Sequence, residues 1–173
     1  MPKSISTHTI QLVTYSTHLP IAEVIERLDQ QIAKDALRGA VPGSGSLPST
    51  VDQFEKHVNG LLGPSGFMFF HELRHGRWFQ LYAQHAQEMH LYTIGNPLIA
   101  QTLFSRDIHA GLNVPIRLFV VAKPDGQVGT EVVYHLPSSL IASTCGNNDS
   151  DLNAIAQALD AKLEALVRFI TDV

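Results

Sequence analysis

Apolar residues recur along this chain with two different periods, and the switches between them divide it into elements. Residues 8–15 alternate loosely and predict a first strand, closed by Ser16-Thr17, a pair suited to capping the next helix. From Pro20 onward Ile21, Val24, Ile25, Leu28 and Ile32 return at helical spacing, while Glu23, Glu26, Arg27 and Lys34 fall elsewhere on the wheel, so an amphipathic helix is predicted. Residues 39–49 are crowded with Gly, Pro and Ser and read as a loop; their GSGS lacks the lysine and the preceding strand of a phosphate-binding loop. Ser49 followed by Asp52 resembles a loose capping box, opening a short helix with Val51, Phe54, Val58 and Leu61 that Gly63-Pro64 stops.

The middle of the chain changes character. Residues 67–73, 78–82 and 88–94 are rich in aromatic and branched side chains and predict an antiparallel meander, with Phe67, Phe69, Phe70, Trp78 and Phe79 as sheet core. Gly95-Asn96-Pro97 reads as a strand exit, an Asn cap and a proline in the first helical position, where it sacrifices no hydrogen bond, ahead of Ile99, Leu103 and Phe104. Residues 114–122 and 128–136 flank Lys123-Pro124-Asp125-Gly126 and predict a hairpin. Leu152, Ile155, Leu159, Leu163, Leu166, Val167 and Ile170 mark a long C-terminal helix. The fold class is therefore α+β, an antiparallel sheet of about five or six strands with helices mainly on one face. The stripe on the last helix exceeds what a sheet edge covers, which predicts self-association through it, most simply as a dimer.

Composition narrows the class. A chain of 173 residues, 45% hydrophobic and 16% charged, suits one globular domain spanning residues 1–173. A net charge of -4 with scattered basic residues argues against a nucleic-acid partner. No stretch reaches the roughly 18 apolar residues that span a bilayer, and the start, MPKSISTHTIQL, lacks the apolar core of a signal peptide, so a cytoplasmic protein without a membrane partner is expected. Cys145, the only cysteine, lies in STCGNN and reads as a loop residue rather than a nucleophile.

Four local patterns, taken in order, resemble the family known as domain of unknown function 302. They are His75 in ELRHGRW, the turn in TIGNPLIAQTL, the run from Ala110-Gly111 to Val114-Pro115-Ile116-Arg117, and DGQVGTEVVYHLPSSL. The resemblance implies an antiparallel α+β fold that self-associates, and it implies no assigned reaction. The long segment 36–66, together with HGRWFQLY where a helix more commonly follows the histidine, resembles the longer fungal branch of that family.

Several constellations invite chemistry. His71-Glu72-Leu73-Arg74-His75 satisfies the H-E-x-x-H zinc pattern, yet in a strand-like run the two histidines stand about 13 Å apart, so no catalytic zinc is predicted there. Among the nine histidines, His71, His75, His109 and His135 are the inward candidates, and His75 is expected to face a cleft near Gly95-Asn96-Pro97. The free N–H groups near Leu98 and Ile99 suit an anion or a carbonyl. Arg117 and Tyr134, on adjacent strands, offer a cation and a hydroxyl to one polar ligand. The ligand-binding set is thus His75, Asn96, Arg117 and Tyr134. The favoured function is binding of a small molecule, with a planar cofactor such as haem held by His75 as its cofactor reading. The alternative is a cofactor-free lyase or isomerase in which His75 works with Glu72 or Tyr134.

Overall fold

The computed structural model describes residues 1–37, 48–83, 87–124, 127–145 and 149–172, the side chains of 142–145 excepted. Alternating burial selects one face of a five-stranded sheet. Its strands are β1 (Leu12–Thr17), β2 (Met68–Arg74), β3 (Met89–Gly95), β4 (Ile116–Ala122) and β5 (Thr130–His135), ordered β1-β5-β4-β3-β2 with every neighbouring pair antiparallel. His90, Tyr92 and Ile94 of β3, Ile116, Leu118 and Val120 of β4, and Thr130, Val132 and Tyr134 of β5 are buried on that face. Most of them join a single core with α1 (Ile21–Gln31), through Val24 and Leu28, and with α6 (Ser150–Thr171). Apolar residues at period two meet apolar residues at period 3.6, which is why the two layers adhere. The Asp125-Gly126 turn and most of the loop at 39–49, GSGS included, lie outside the described residues.

The other α-helices are α2 (Val51–Leu61), α3 (His75–Phe79), α4 (Pro97–Phe104) and α5 (Pro137–Cys145). Thr50 caps α2 by accepting from the Gln53 N–H, and Asp149 caps α6 by accepting from Asp151 and Leu152. The first helix is capped differently from the expectation. Thr17 belongs to β1, where its hydroxyl accepts from the Leu19 N–H, and α1 starts after Pro20 with no side-chain cap. Cys145 closes helix α5 instead of lying in a loop.

Two expectations about apolar residues are overturned. Residues 78–82 form no strand: Gly76 lets the chain pass so close to β3 that an added Cβ would sit 2.8 Å from the Gln87 carbonyl oxygen, and the segment coils there as α3. Trp78 and Phe79 are consequently exposed, not core, while Phe67 is fully buried. The stripe on α6 is also spent within the chain, since Leu152, Leu159, Leu163, Leu166, Val167 and Ile170 are all buried. That removes the reason for self-association through this helix. Leu163→Glu would bury a carboxylate in the core at a cost of about 4 kcal/mol or more. A circular-dichroism melt is expected to show loss of the cooperative transition rather than a folded monomer.

Candidate functional site

Gly95 ends β3 against Phe70, whose ring a Cβ on Gly95 would approach to 3.2 Å. Asn96 then turns the chain into α4. Its Oδ1 accepts from the Leu98 N–H at 2.8 Å and its Nδ2 donates to the Gly66 carbonyl at 3.0 Å, tying the helix start to the turn before β2. Beside this clamp opens a cleft of about 330 Å³, walled by Phe54 of α2, Phe67, Phe70, Ile99, Leu103 and Phe104. Among the described residues only Asn96 and Gln101 bring polar side chains to it. Such a surface binds by exclusion of water and by dispersion, and it discriminates by shape.

At the far end of the same strands lies a buried ionic network. The ladder of β2 shifts register between Phe69 and His71, so Phe70 is an extra residue and the alternation inverts after it. Glu72 and Arg74 therefore share the helix-covered face with Tyr92 and His90, their partners on β3. Glu72, whose side chain is 8% exposed, takes His90 Nδ1 at 2.6 Å, Lys34 Nζ at 3.0 Å and Arg74 Nε at 3.0 Å. Lys34 reaches it because Ala33, at φ 50°, swings the chain back after α1; its ammonium also meets Asp29 at 2.8 Å and the Tyr92 hydroxyl at 3.2 Å. Burial alone would raise the Glu72 pKa, but hydrogen bonds from Arg74, His90 and Lys34 outweigh it and hold the carboxyl at about 2. The Tyr92 phenol is pushed upward by burial and then by Asp29 and Glu72.

The family model described as Domain of unknown function DUF302 matches residues 45–170. The chain belongs to this family. Its fold is similar to that of an uncharacterized conserved DUF302 protein from Bacillus stearothermophilus, with a TM-score of 0.63 and 17% identity over 92% of this chain and 97% of that one. At that identity the likeness speaks for the fold. No curated protein matches the sequence. The DUF302 match begins after β1 and α1, although both complete the sheet and core described above.

The sequence-derived candidates are dispersed over this DUF302 fold. Asn96 lines the apolar cleft. His75 does not: Met68 pairs with Gly95 and Arg74 with His90, so His75 stands at the opposite end of β2, roughly 20 Å away along the strand. There it is half-buried and meets Trp78 edge-on. The zinc pattern is extended through Arg74, and helix α3 begins at His75 itself; the helix that more commonly follows this histidine is thus present. Arg117 and Tyr134 lie on opposite faces, because Phe119 pairs with Val133 and side chains alternate along each strand. Arg117 opens onto a separate hollow with Thr93 and His135. Tyr134 is buried at 3% exposure, and burial, then Tyr15 and Glu164, push its phenol up to about 12.

Among the described residues the buried histidine is one that spacing did not single out. His71 and His109 are exposed and His135 half-buried, whereas His90 is buried. Its signal was the alternation His90, Tyr92, Ile94. The N–H groups of Leu98 and Ile99, expected to be open, are taken by the Asn96 side chain and carbonyl. Among the described residues no group of His, Cys, Asp and Glu could hold a metal ion, and no helix is long and apolar enough to cross a membrane.

Proposed function

We propose that this DUF302 protein binds a small, largely apolar molecule in the cleft beside Gly95-Asn96-Pro97. The observation that carries this reading is the cleft's aromatic lining, with Phe54, Phe67, Phe70 and Phe104 around about 330 Å³, the lower end of the range that ligand sites occupy. Asn96 already spends its Oδ1 and one Nδ2 hydrogen within the protein, so the ligand needs little hydrogen bonding. Haem held by His75 does not fit this cleft. Among the described residues its lining contains no His, Cys or Met to serve as an axial ligand, and His75 is at the other end of β2. The proton-transfer alternative, His75 with Glu72 or Tyr134, loses support for the same kind of reason. Tyr134 and His75 sit on strands or helices separated by β3 and β4, and Glu72 is committed to the ionic network.

The uncharged fluorophore N-phenyl-1-naphthylamine tests the cleft. Saturable binding with a Kd on the order of micromolar is expected, weakened at least tenfold, roughly 1.4 kcal/mol, by Ile99→Trp, which fills the space, and by Phe104→Glu, which charges its rim. Unsaturable binding, or equal affinity in both folded variants, would refute the assignment.

A further inference from the structure

The most buried imidazole of the ionic network opens onto a second cleft, separate from the apolar one and independent of its assignment. This cleft, about 330 Å³, lies where α3 meets β2 and the start of β3, and it is lined by Arg74, Arg77, Gln80, Glu88, Met89 and His90 among others. His90 is oriented from behind. Glu72 holds Nδ1 at 2.6 Å, and the Tyr92 ring stacks on the imidazole at 6.3 Å between centroids and 20° between planes. Nε2 therefore points to the cleft, where the Glu88 carboxylate meets it at 2.9 Å.

The two carboxylates on this ring differ in kind. Glu72 is 8% exposed and held by Lys34, Arg74 and His90, whereas the Glu88 side chain is 55% exposed and has no other ion pair among the described residues. One is a fixture and the other is replaceable. Charge in the cleft also leaves a vacancy for an anion. Lys34 is taken by Asp29 and Glu72, and Arg74 by Glu72, while the exposed Arg77 guanidinium has no ion-pair partner among the described residues.

The geometry points to a binding site for a small carboxylic acid, whose carboxylate replaces that of Glu88 at His90 Nε2 and whose charge is met by Arg77. A planar carboxylate is the ligand class because the position opposite Nε2 is already shaped to one. Glu88 is then a tethered competitor, acting at an effective concentration on the order of millimolar or more. It keeps the site closed to weak acids and yields to one that also engages Arg77. Glu72 is a positioning residue, setting which nitrogen faces the ligand.

Propionate is the probe, and the His90 ring resonances in ¹H–¹³C spectra are the readout. Glu88→Ala changes an exposed side chain and is expected to keep the fold while raising propionate affinity at least tenfold over the parent protein. Adding Arg77→Ala to that variant should cancel most of the gain. The proposal is overturned if Glu88→Ala, shown folded by its amide spectrum, gives no saturable shift of His90, or if the double variant binds propionate as well as the single one. Inorganic phosphate producing the same shift with equal affinity would also overturn it, by showing a general anion effect rather than a carboxylate site.

Discussion

Glu72→Gln is expected to lower stability at pH 7 by about 3 kcal/mol, seen as a lower urea midpoint and a Tm reduced by roughly 6–12 °C. The substitution keeps the shape but removes the charge that Lys34, Arg74 and His90 converge on, leaving cations partly buried without their counter-charge. Its pH dependence follows from the carboxyl's position at about 2 in the folded protein against an ordinary 4.5. A depressed folded pKa contributes stability that is complete above the unfolded value and is lost as pH falls through the folded one. The gap between parent and variant should thus be constant from pH 7 to about 5 and close between about 4.5 and 2. A gap that persists unchanged at pH 2 would show that packing, not charge, accounts for the loss.

Gly63→Ala is expected to cost still more, about 3–5 kcal/mol, with a Tm lowered on the order of 10 °C. A Cβ at Gly63 would stand 2.2 Å from the Gln31 carbonyl oxygen and 2.7 Å from the Ala33 nitrogen, both backbone atoms that no rotamer change can move. The turn is locked onto the end of α1 by its own hydrogen bonds: Ser65 donates from backbone and side chain to the Gln31 carbonyl, and the Phe69 N–H donates to the Ile32 carbonyl. Relief of the clash must therefore break that docking. Gly60→Ala in α2 is the control, since nothing lies within 4 Å of its Cβ position, and it should be neutral or stabilising by up to about 1 kcal/mol. Similar melting of both variants would rule out the close approach.

Strands, helices and the cap at Asn96 were legible because each follows from a local rule: alternation in β3 to β5, Asn before Pro, and a 3.6-residue stripe in α6. What was not legible depends on parity. The extra residue at Phe70 inverts the faces of β2, so Glu72, and not the inward candidate His71, shares the face of the buried Phe67. Arg117 and Tyr134 looked adjacent because they share one hairpin, but Phe119 stands opposite Val133, so alternation along each strand sends the two side chains to opposite faces. Lys34 was read among the charged positions off the apolar stripe of α1, and only the positive φ at Ala33 turns it back onto Glu72. His75 failed as a cleft residue because strand direction, invisible in the motif, places the two ends of β2 in different environments.

The pairing of β1 with β5 ties Leu12 to His135 and Thr17 to Thr130, more than a hundred residues later in the chain. On the ribosome, at roughly 5–20 residues per second, β1 waits on the order of 5–20 s before its neighbour exists. For that interval Val13 and Tyr15, which pack on the finished core, have no sheet to join. The completed fold thus depends on a strand that stays uncommitted until the residues of β5 have been made, and it is during synthesis, more than afterwards, that this edge is open to pairing with a foreign strand.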